Sequence, residues 1–489
     1  MKYLLLFCLL APLFSFSQIQ IGADIDGEAA DNRSGYSVSL SSDGSIVAIG
    51  AHKNDGNGTD SGHVRVYENQ SGSWVQIGSD IDGEAADDNS GWSVSLSSDG
   101  SIVAIGAYYN DGNGTNSGHV RMYENQSGNW IQIGSDIDGE AAGDLSGNSV
   151  SLSSDGSIVA IGAYFNDGNG AYSGHVRVYE NQSGNWIQIG SDIDGEAASD
   201  RSGVSVSLSS NGSIVAIGAS SNDGNGTDSG HVRVYENQSG NWVQIGSDID
   251  GEAAIDSSGR SVSLSSDGSI VAIGAHFNGG NGTGSGHVRV YENQSGNWVQ
   301  IGSDIDGEAA IDRSGQSVSL SSNGSIVAIG AYNNDGNGTD SGHVRVYENQ
   351  SGSWVQIGSD IDGEAADDQS GNSVSLSSDG GIVAIGAPFN DENGANSGHV
   401  RVYDLSATMS TKSFENDYFS FYPNPVRDVF NINLNKGLTL KQVNIYTIKG
   451  RYLYSEKNKS VDIKNLSSGM YVFEVETDQG KSAKKIIIE

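Results

Sequence analysis

The chain has 489 residues, 69 of them Gly and only four Pro, with a formal net charge of −36. The charge is uneven: residues 1–402 hold 51 Asp+Glu against 13 Lys+Arg, and residues 403–489 hold 10 against 12, so nets of −38 and +2 make up the whole. An acidic region of that size lacks the basic stripe that nucleic-acid binding needs. The single cysteine, Cys8, leaves no disulfide or thiolate chemistry to the rest of the chain.

Residues 1–17 read as a Sec signal peptide, with Lys2 as the charged start, an apolar run to Phe14 and the small-x-small site Ser15-Phe16-Ser17 before Gln18. The run is too short to span a bilayer, and no second transmembrane candidate follows, so the mature protein is expected outside the cell.

From Gln18 onward a 56-residue unit recurs seven times, and a fixed period of that length points to a propeller or a solenoid. Each unit offers four strands. In the first copy these are Ser37-Val-Ser-Leu40, which alternates; Ile46-Val-Ala-Ile-Gly-Ala51, apolar throughout; His63-Val-Arg-Val-Tyr67; and Trp74-Val-Gln-Ile77. Ser42-Asp43-Gly44 is a short hairpin turn, and residues 68–73 form a longer one. Four strands taken seven times give an all-β, seven-bladed β-propeller over residues 18–403. A linear solenoid is the alternative, disfavoured because the end repeats lack polar caps. The seventh copy stops at Tyr403 without a fourth strand, while the mature chain opens on Gln18-Ile-Gln-Ile-Gly22, which matches one. Residues 18–22 are therefore expected to complete the last blade and leave no open edge.

The string Ser-Gly-x-Ser-Val-Ser-Leu…Ile-Val-Ala-Ile-Gly-Ala, with a full Gly-Ala-Pro at Gly386-Ala-Pro388, resembles the FG-GAP repeat of integrin-α-type propellers. That family often carries an Asp-x-Asp-x-Asp-Gly calcium loop between the first two strands. Here the connection is only Ser-Asp-Gly or Ser-Asn-Gly, so that calcium site does not carry over.

Residues 404–417 form a polar linker, after which Lys rises and Gly falls. Residues 418–489 contain Tyr422-Pro-Asn-Pro425, Gly469-Met-Tyr471 and the end Lys484-Lys-Ile-Ile-Ile-Glu489, and their short strands predict a small β-sandwich. This segment is similar to the type A C-terminal sorting domain of type IX secretion. The resemblance implies a partner, the type IX machinery, and export across an outer membrane to the cell surface or beyond it. Whether the domain is then cleaved is left open.

Because the repeats are nearly identical, the positions that differ are informative. After each Ser-Gly stand Tyr36, Trp92, Asn148, Val204, Arg260, Gln316 and Asn372; after each Ile-Gly-Ala stand pairs that include Tyr108-Tyr109, Tyr164-Phe165 and His276-Phe277. Strand parity puts both loops on one face of the disc, while the other face repeats Ser-Asp-Gly and Glu-Asn-Gln-Ser-Gly. Tyr36, Trp92, Tyr108, Tyr109, Tyr164, Phe165, Arg260, His276 and Phe277 are the candidate ligand-binding residues, since loops on a rigid scaffold carry recognition and aromatics anchor it. Free drift of exposed loop positions explains the same variation. Oxygen-bearing residues at alternate spacing, Asp24, Asp26 and Glu28 with Asp55 and Asn57, suit a hard cation and make calcium the one cofactor the pattern raises. Asp-x-Asp-Gly turns also form without metal. The seven strand histidines, His63 to His399, and the six tryptophans from Trp74 to Trp354 read as blade packing. No catalytic constellation stands apart from the repeats. The reading is a secreted or surface-displayed, non-catalytic protein that binds an extracellular glycan or protein through one loop face. An enzyme acting on extracellular polysaccharide, and a purely structural coat protein, are the alternatives.

Overall fold

The structure, a computed structural model, describes residues 18–406 and 419–488 apart from 423–425, 435–438, 448–451 and 478–479. The expected signal peptide, residues 1–17, and most of the expected linker lie outside the described residues. The chain divides into two compact units at residues 409/410.

The first unit is a seven-bladed propeller. In blade one, Ser37–Leu40, Ile46–Ala51, His63–Asn69 and Trp74–Gln76 pair antiparallel in that order. The turn between the first two strands is set locally: Asp43 Oδ1 accepts the Ser45 N–H and the Ser41 hydroxyl, each at 2.9 Å. The second strand is sealed on both faces, with Val47 at 0% and Ile49 at 1% exposure, as its unbroken apolar run requires. The fourth strand is shorter than its sequence suggests and then resumes. Ile77 still donates to Val66 O, the chain swings out through Gly78 (φ +74°), and Ile81–Asp82 returns to pair with Val64 and His63. The same break recurs in every blade.

Blades are joined by packing that crosses from one sheet to the next. Val64, Val66 and Ile81 of blade one bury against Leu96, Val103, Ile105 and Tyr123 of blade two, with Trp130 laid along the junction. The Trp130 indole donates to Ile77 O at 2.9 Å, and five further tryptophans make the equivalent bond. The tryptophans are therefore blade mortar, with the indole N–H satisfied. Blades also approach too closely for a side chain on the second strand: a Cβ added at Gly50 would collide with the Gly91 carbonyl of the next blade.

The ring closes. Ser42 N–H donates to Ser98 O at 2.7 Å, the bond repeats from blade to blade, and Ser378 N–H returns to Ser42 O at 2.8 Å. At the same junction Ile19 and Gln20 pair with Asp404 and Tyr403, and Ile25–Asp26 pairs with Val400 and His399, so N-terminal residues supply the outer strand of blade seven.

The second unit is built from two sheets. Phe419–Tyr422, Val429–Leu434 and Ser460–Asp462 form one; Tyr452–Glu456, Leu440–Thr447, Gly469–Thr477 and Gly480–Ile488 form the other. Phe430 and Ile432 of the first bury against Val443, Phe473 and Val475 of the second, with Phe430 and Phe473 meeting edge to face at 4.7 Å.

Candidate functional site

The first strand of each blade lies nearest the axis, so one residue position contributed seven times forms a ring around the central channel. At one end the ring is uniform: Leu40, Ser42 and their equivalents enclose about 150 Å³. At the other end a cavity of about 230 Å³ is lined by the residues that follow each Ser-Gly. Tyr36, Trp92 and Arg260 face it together with Asn148, Gln316 and Asn372. The differences between repeats thus converge on a single mouth.

The loops after the second strands sit on the same face, which ring contacts establish. Tyr36 lies 4.2 Å from His52 and 4.4 Å from Trp92; Trp92 lies 4.2 Å from Tyr108, which stacks on Tyr109 at 4.0 Å. Five rings from blades one and two form one continuous patch, running from buried His52 to exposed Tyr109. Tyr164 and Phe165 touch at 4.3 Å, and His276 and Phe277 at 4.0 Å, as separate pairs farther round. Polar groups stitch the mouth together. Trp92 Nε1 donates to Asn148 Oδ1 at 3.1 Å, Asn148 Nδ2 to Val204 O at 3.0 Å, Asn372 Nδ2 to Tyr36 O at 3.1 Å, and Arg260 Nε to Gln316 Oε1 at 3.4 Å.

Burial pushes the Tyr36 hydroxyl up to about 12, with Arg260 and Arg33 pulling the other way. Burial, then Arg33 and Lys53, hold His52 neutral, and burial, then Arg260 and Arg313, do the same for His276. Sequence reasoning missed Arg33, Arg201 and Arg313. They lie immediately before the Ser-Gly and read as ordinary loop residues, though the same comparison of repeats picks them out.

The five metal candidates do not form one site: Asp24 gathers with Glu364, Glu392 and His399, and Glu28 with His63 and Asp80. Asp24 Oδ2 lies 3.6 Å from His399 Nδ1, and Glu28 approaches His63 Nδ1 at 3.9 Å and Arg65 Nη1 at 3.7 Å. Asp26 belongs to the blade-seven edge and is raised by burial and by Asp24. Asp55 Oδ1 is occupied by the Asp60 N–H at 2.8 Å, and Asn57 Nδ2 donates to the carbonyls of Gly83 and Glu84. The second acidic loop is thus a clamp on the loop that follows it, one blade away from Asp24, Asp26 and Glu28. The seven strand histidines are buried between such acids and held neutral, six of them pushed down to about 4, chiefly by burial and next by the neighbouring arginine.

Fold and surface together define a closed propeller with one varied, aromatic face. The FG-GAP repeat family matches residues 80–123, 304–347 and 360–403, and the secretion system C-terminal sorting domain matches residues 420–489. Three of the seven propeller repeats are thus FG-GAP repeats and the C-terminal unit is a type IX sorting domain, which directs the chain to the cell surface or the extracellular space. No curated protein matches the chain. Among solved structures it is similar to the hydrazine synthase of Kuenenia stuttgartiensis, at 13% identity and a TM-score of 0.51, covering 79% of this chain and 98% of that one. It is also similar to a candidate 6-phosphogluconolactonase from Bacteroides uniformis ATCC 8492, at 14% identity and a TM-score of 0.48, covering 67% and 85%. At such identities the first likeness speaks for fold alone. Among the described residues no helix is long and apolar enough to cross a membrane.

Proposed function

We propose that the propeller is a non-catalytic binding module of this exported protein, and that its varied face takes an extracellular glycan or protein ligand in adhesion. The observation that carries the reading is the convergence of the repeat differences on one axial mouth, beside the five-ring patch of Tyr36, His52, Trp92, Tyr108 and Tyr109. Drift of exposed loops accounts for variation but not for the 4.4 Å contact of Tyr36 with Trp92 across two blades, continued within blade two to Tyr108 and Tyr109 at 4.2 and 4.0 Å. Aromatic planes with nearby amide and guanidinium donors suit recognition of sugar rings or aromatic-anchored protein surfaces. Glycoside hydrolysis needs two carboxyl groups flanking the bond. The seven mouth positions hold Tyr, Trp, Asn, Val, Arg, Gln and Asn, and no carboxylate. Arrays of glycans and matrix proteins, probed with the protein and with a Trp92→Ala/Tyr108→Ala/Tyr109→Ala variant, test the reading. Binding lost in the variant at unchanged melting temperature supports it. Reducing-sugar release from a polysaccharide, or binding indifferent to the three substitutions, contradicts it.

A further inference from the structure

An acidic disc gathers its free cations on this face. Of the 13 Lys+Arg in residues 1–402, Lys2 lies in the signal segment and seven form the strand ladder from Arg65 to Arg401. Each ladder arginine lies within 4.0 Å of a Glu carboxylate. The remaining five are Arg33, Lys53, Arg201, Arg260 and Arg313, and all stand on the varied face. Lys53 is paired with Asp60 at 2.8 Å. Among the described residues the four arginines make no ion pair within 4.0 Å.

Three of them follow a rule. Arg33 lies over the Phe389 ring at 5.0 Å, Arg201 over Phe165 at 5.6 Å and Arg313 over Phe277 at 4.2 Å, each pair bridging two adjacent blades. At the other four junctions the Phe position holds Lys53, Tyr109, Ser221 or Asn333, and the facing position holds Asn89, Leu145, Ser257 or Gln369. Phe and Arg therefore occur together three times and apart never. A third position moves with them. The residue whose carbonyl accepts the N–H of the Arg position is Asn396, Tyr172 and Gly284 at these junctions, but Asp60, Asp228 and Asp340 at three of the other four. Where the guanidinium stands, the carboxylate that would neutralise it is missing. Independent drift of near-identical copies does not produce matched triplets of this kind.

We infer that the face binds an acidic polysaccharide, a chain of sugars bearing carboxylates or sulfate esters, with Arg260 receiving an acid group at the axial mouth beside the Tyr36–Trp92 rings and the three Arg-on-Phe pairs holding further acid groups around the rim. This rests on the binding reading above and names its ligand class. A guanidinium laid on an aromatic ring is pre-ordered for two-pronged pairing with a carboxylate or sulfate. Arg260 spends only Nε on Gln316, so its terminal N–H groups are free for that pairing. The net −38 of the propeller region does not forbid a polyanion. At 0.15 M salt charges farther than about 8 Å are largely screened, so the local face decides.

The test titrates the full-length protein at 0.15 M salt with alginate oligosaccharides as the uronate probe, chondroitin sulfate as the sulfate probe, laminarin as a neutral glycan and poly-L-glutamate as an acidic peptide. We expect binding to one or both acidic glycans. It should weaken at least tenfold with Arg260→Gln, weaken further with Arg33→Gln/Arg201→Gln/Arg313→Gln, be largely kept by Arg260→Lys, and fade at 1 M salt. Melting temperature reports folding for every variant. Binding of laminarin, or of an array protein, that the Trp92/Tyr108/Tyr109 variant abolishes and the arginine variants leave intact overturns this inference and spares the binding reading. Equal or tighter binding of poly-L-glutamate, or no binding of either acidic glycan, also overturns it.

Discussion

Removing residues 18–22 tests how the ring is shut. The deletion takes away the Ile19–Asp404 and Gln20–Tyr403 ladder positions, the Ile21 N–H bond to Val402 O at 2.7 Å and the Trp74 indole bond to Ile21 O at 2.8 Å. At about 1 kcal/mol for each of these four, the loss is about 4 kcal/mol. Ile21 is half-buried against Val400 and Val402, and its burial adds about 1 kcal/mol. An unfolding entropy of about 2.1 cal/mol/K per residue over residues 18–406 is about 0.8 kcal/mol/K, so about 5 kcal/mol lowers the melting temperature by about 6 °C. Differential scanning calorimetry reads the shift, with Ile19→Ala as control, since that side chain is 57% exposed and should move the transition by less than about 1 °C. A deletion indistinguishable from the control would refute closure by these residues.

Three other outcomes follow from the packing and charge. Ile217→Ala, at a side chain 1% exposed in the junction of blades three and four, should cost about 2–5 kcal/mol in urea unfolding; a change under about 1 kcal/mol contradicts the junction packing. The histidine ladder makes stability fall in acid. Folded His63 and five equivalents titrate at about 4, below the unfolded value near 6.5, so above pH 6.5 neither state is charged and the ladder has no effect. As pH drops from 6.5 toward 4 the unfolded chain takes up protons the folded one refuses, and about 1 kcal/mol per ladder histidine is lost by pH 5.5. A urea midpoint that stays flat from pH 7 to 5 contradicts buried neutral histidines. Truncation after residue 479 removes Gly480–Ile488, which pairs along its whole length with Gly469–Thr477. It should stop export, read as loss of the protein from the cell surface and medium, while leaving propeller melting unchanged; continued export would contradict the sorting role.

The blades were legible because alternation in Ser37–Leu40 and the apolar run Ile46–Ala51 are direct readouts of burial on one face or on two. Closure was legible for a related reason: Ile-Gln-Ile-Gly at the start duplicates a fourth strand missing from the end. The broken fourth strand was not, since Ile81–Asp82 sits inside an Asp-Ile-Asp-Gly-Glu string that looks like a loop. Only the outward swing through Gly78 and the Gln76–Asp80 bond at 2.6 Å bring it back to the sheet. In the site, repeat differences pointed to Tyr36, Trp92 and Arg260. The Arg–Phe pairs escaped because their partners lie in different blades, and Arg33 reaches Phe389 only across the closed ring. The acidic loops were legible only in part: alternate oxygens do not reveal that Asn57 presents its amide N–H groups and that Asp55 caps its own turn, nor that Asp24 and Glu28 each gather with a strand histidine and acids of other segments.

Hydroxyl-radical footprinting of the full-length protein, free and with saturating acidic oligosaccharide, tests the central claim most directly. The account predicts protection confined to Arg33, Arg201, Arg313, Arg260, Tyr36, Trp92, Tyr109 and the Phe165, Phe277 and Phe389 platforms. Protection spread over the Ser-Asp-Gly and Glu-Asn-Gln-Ser-Gly turns of the opposite face would contradict it.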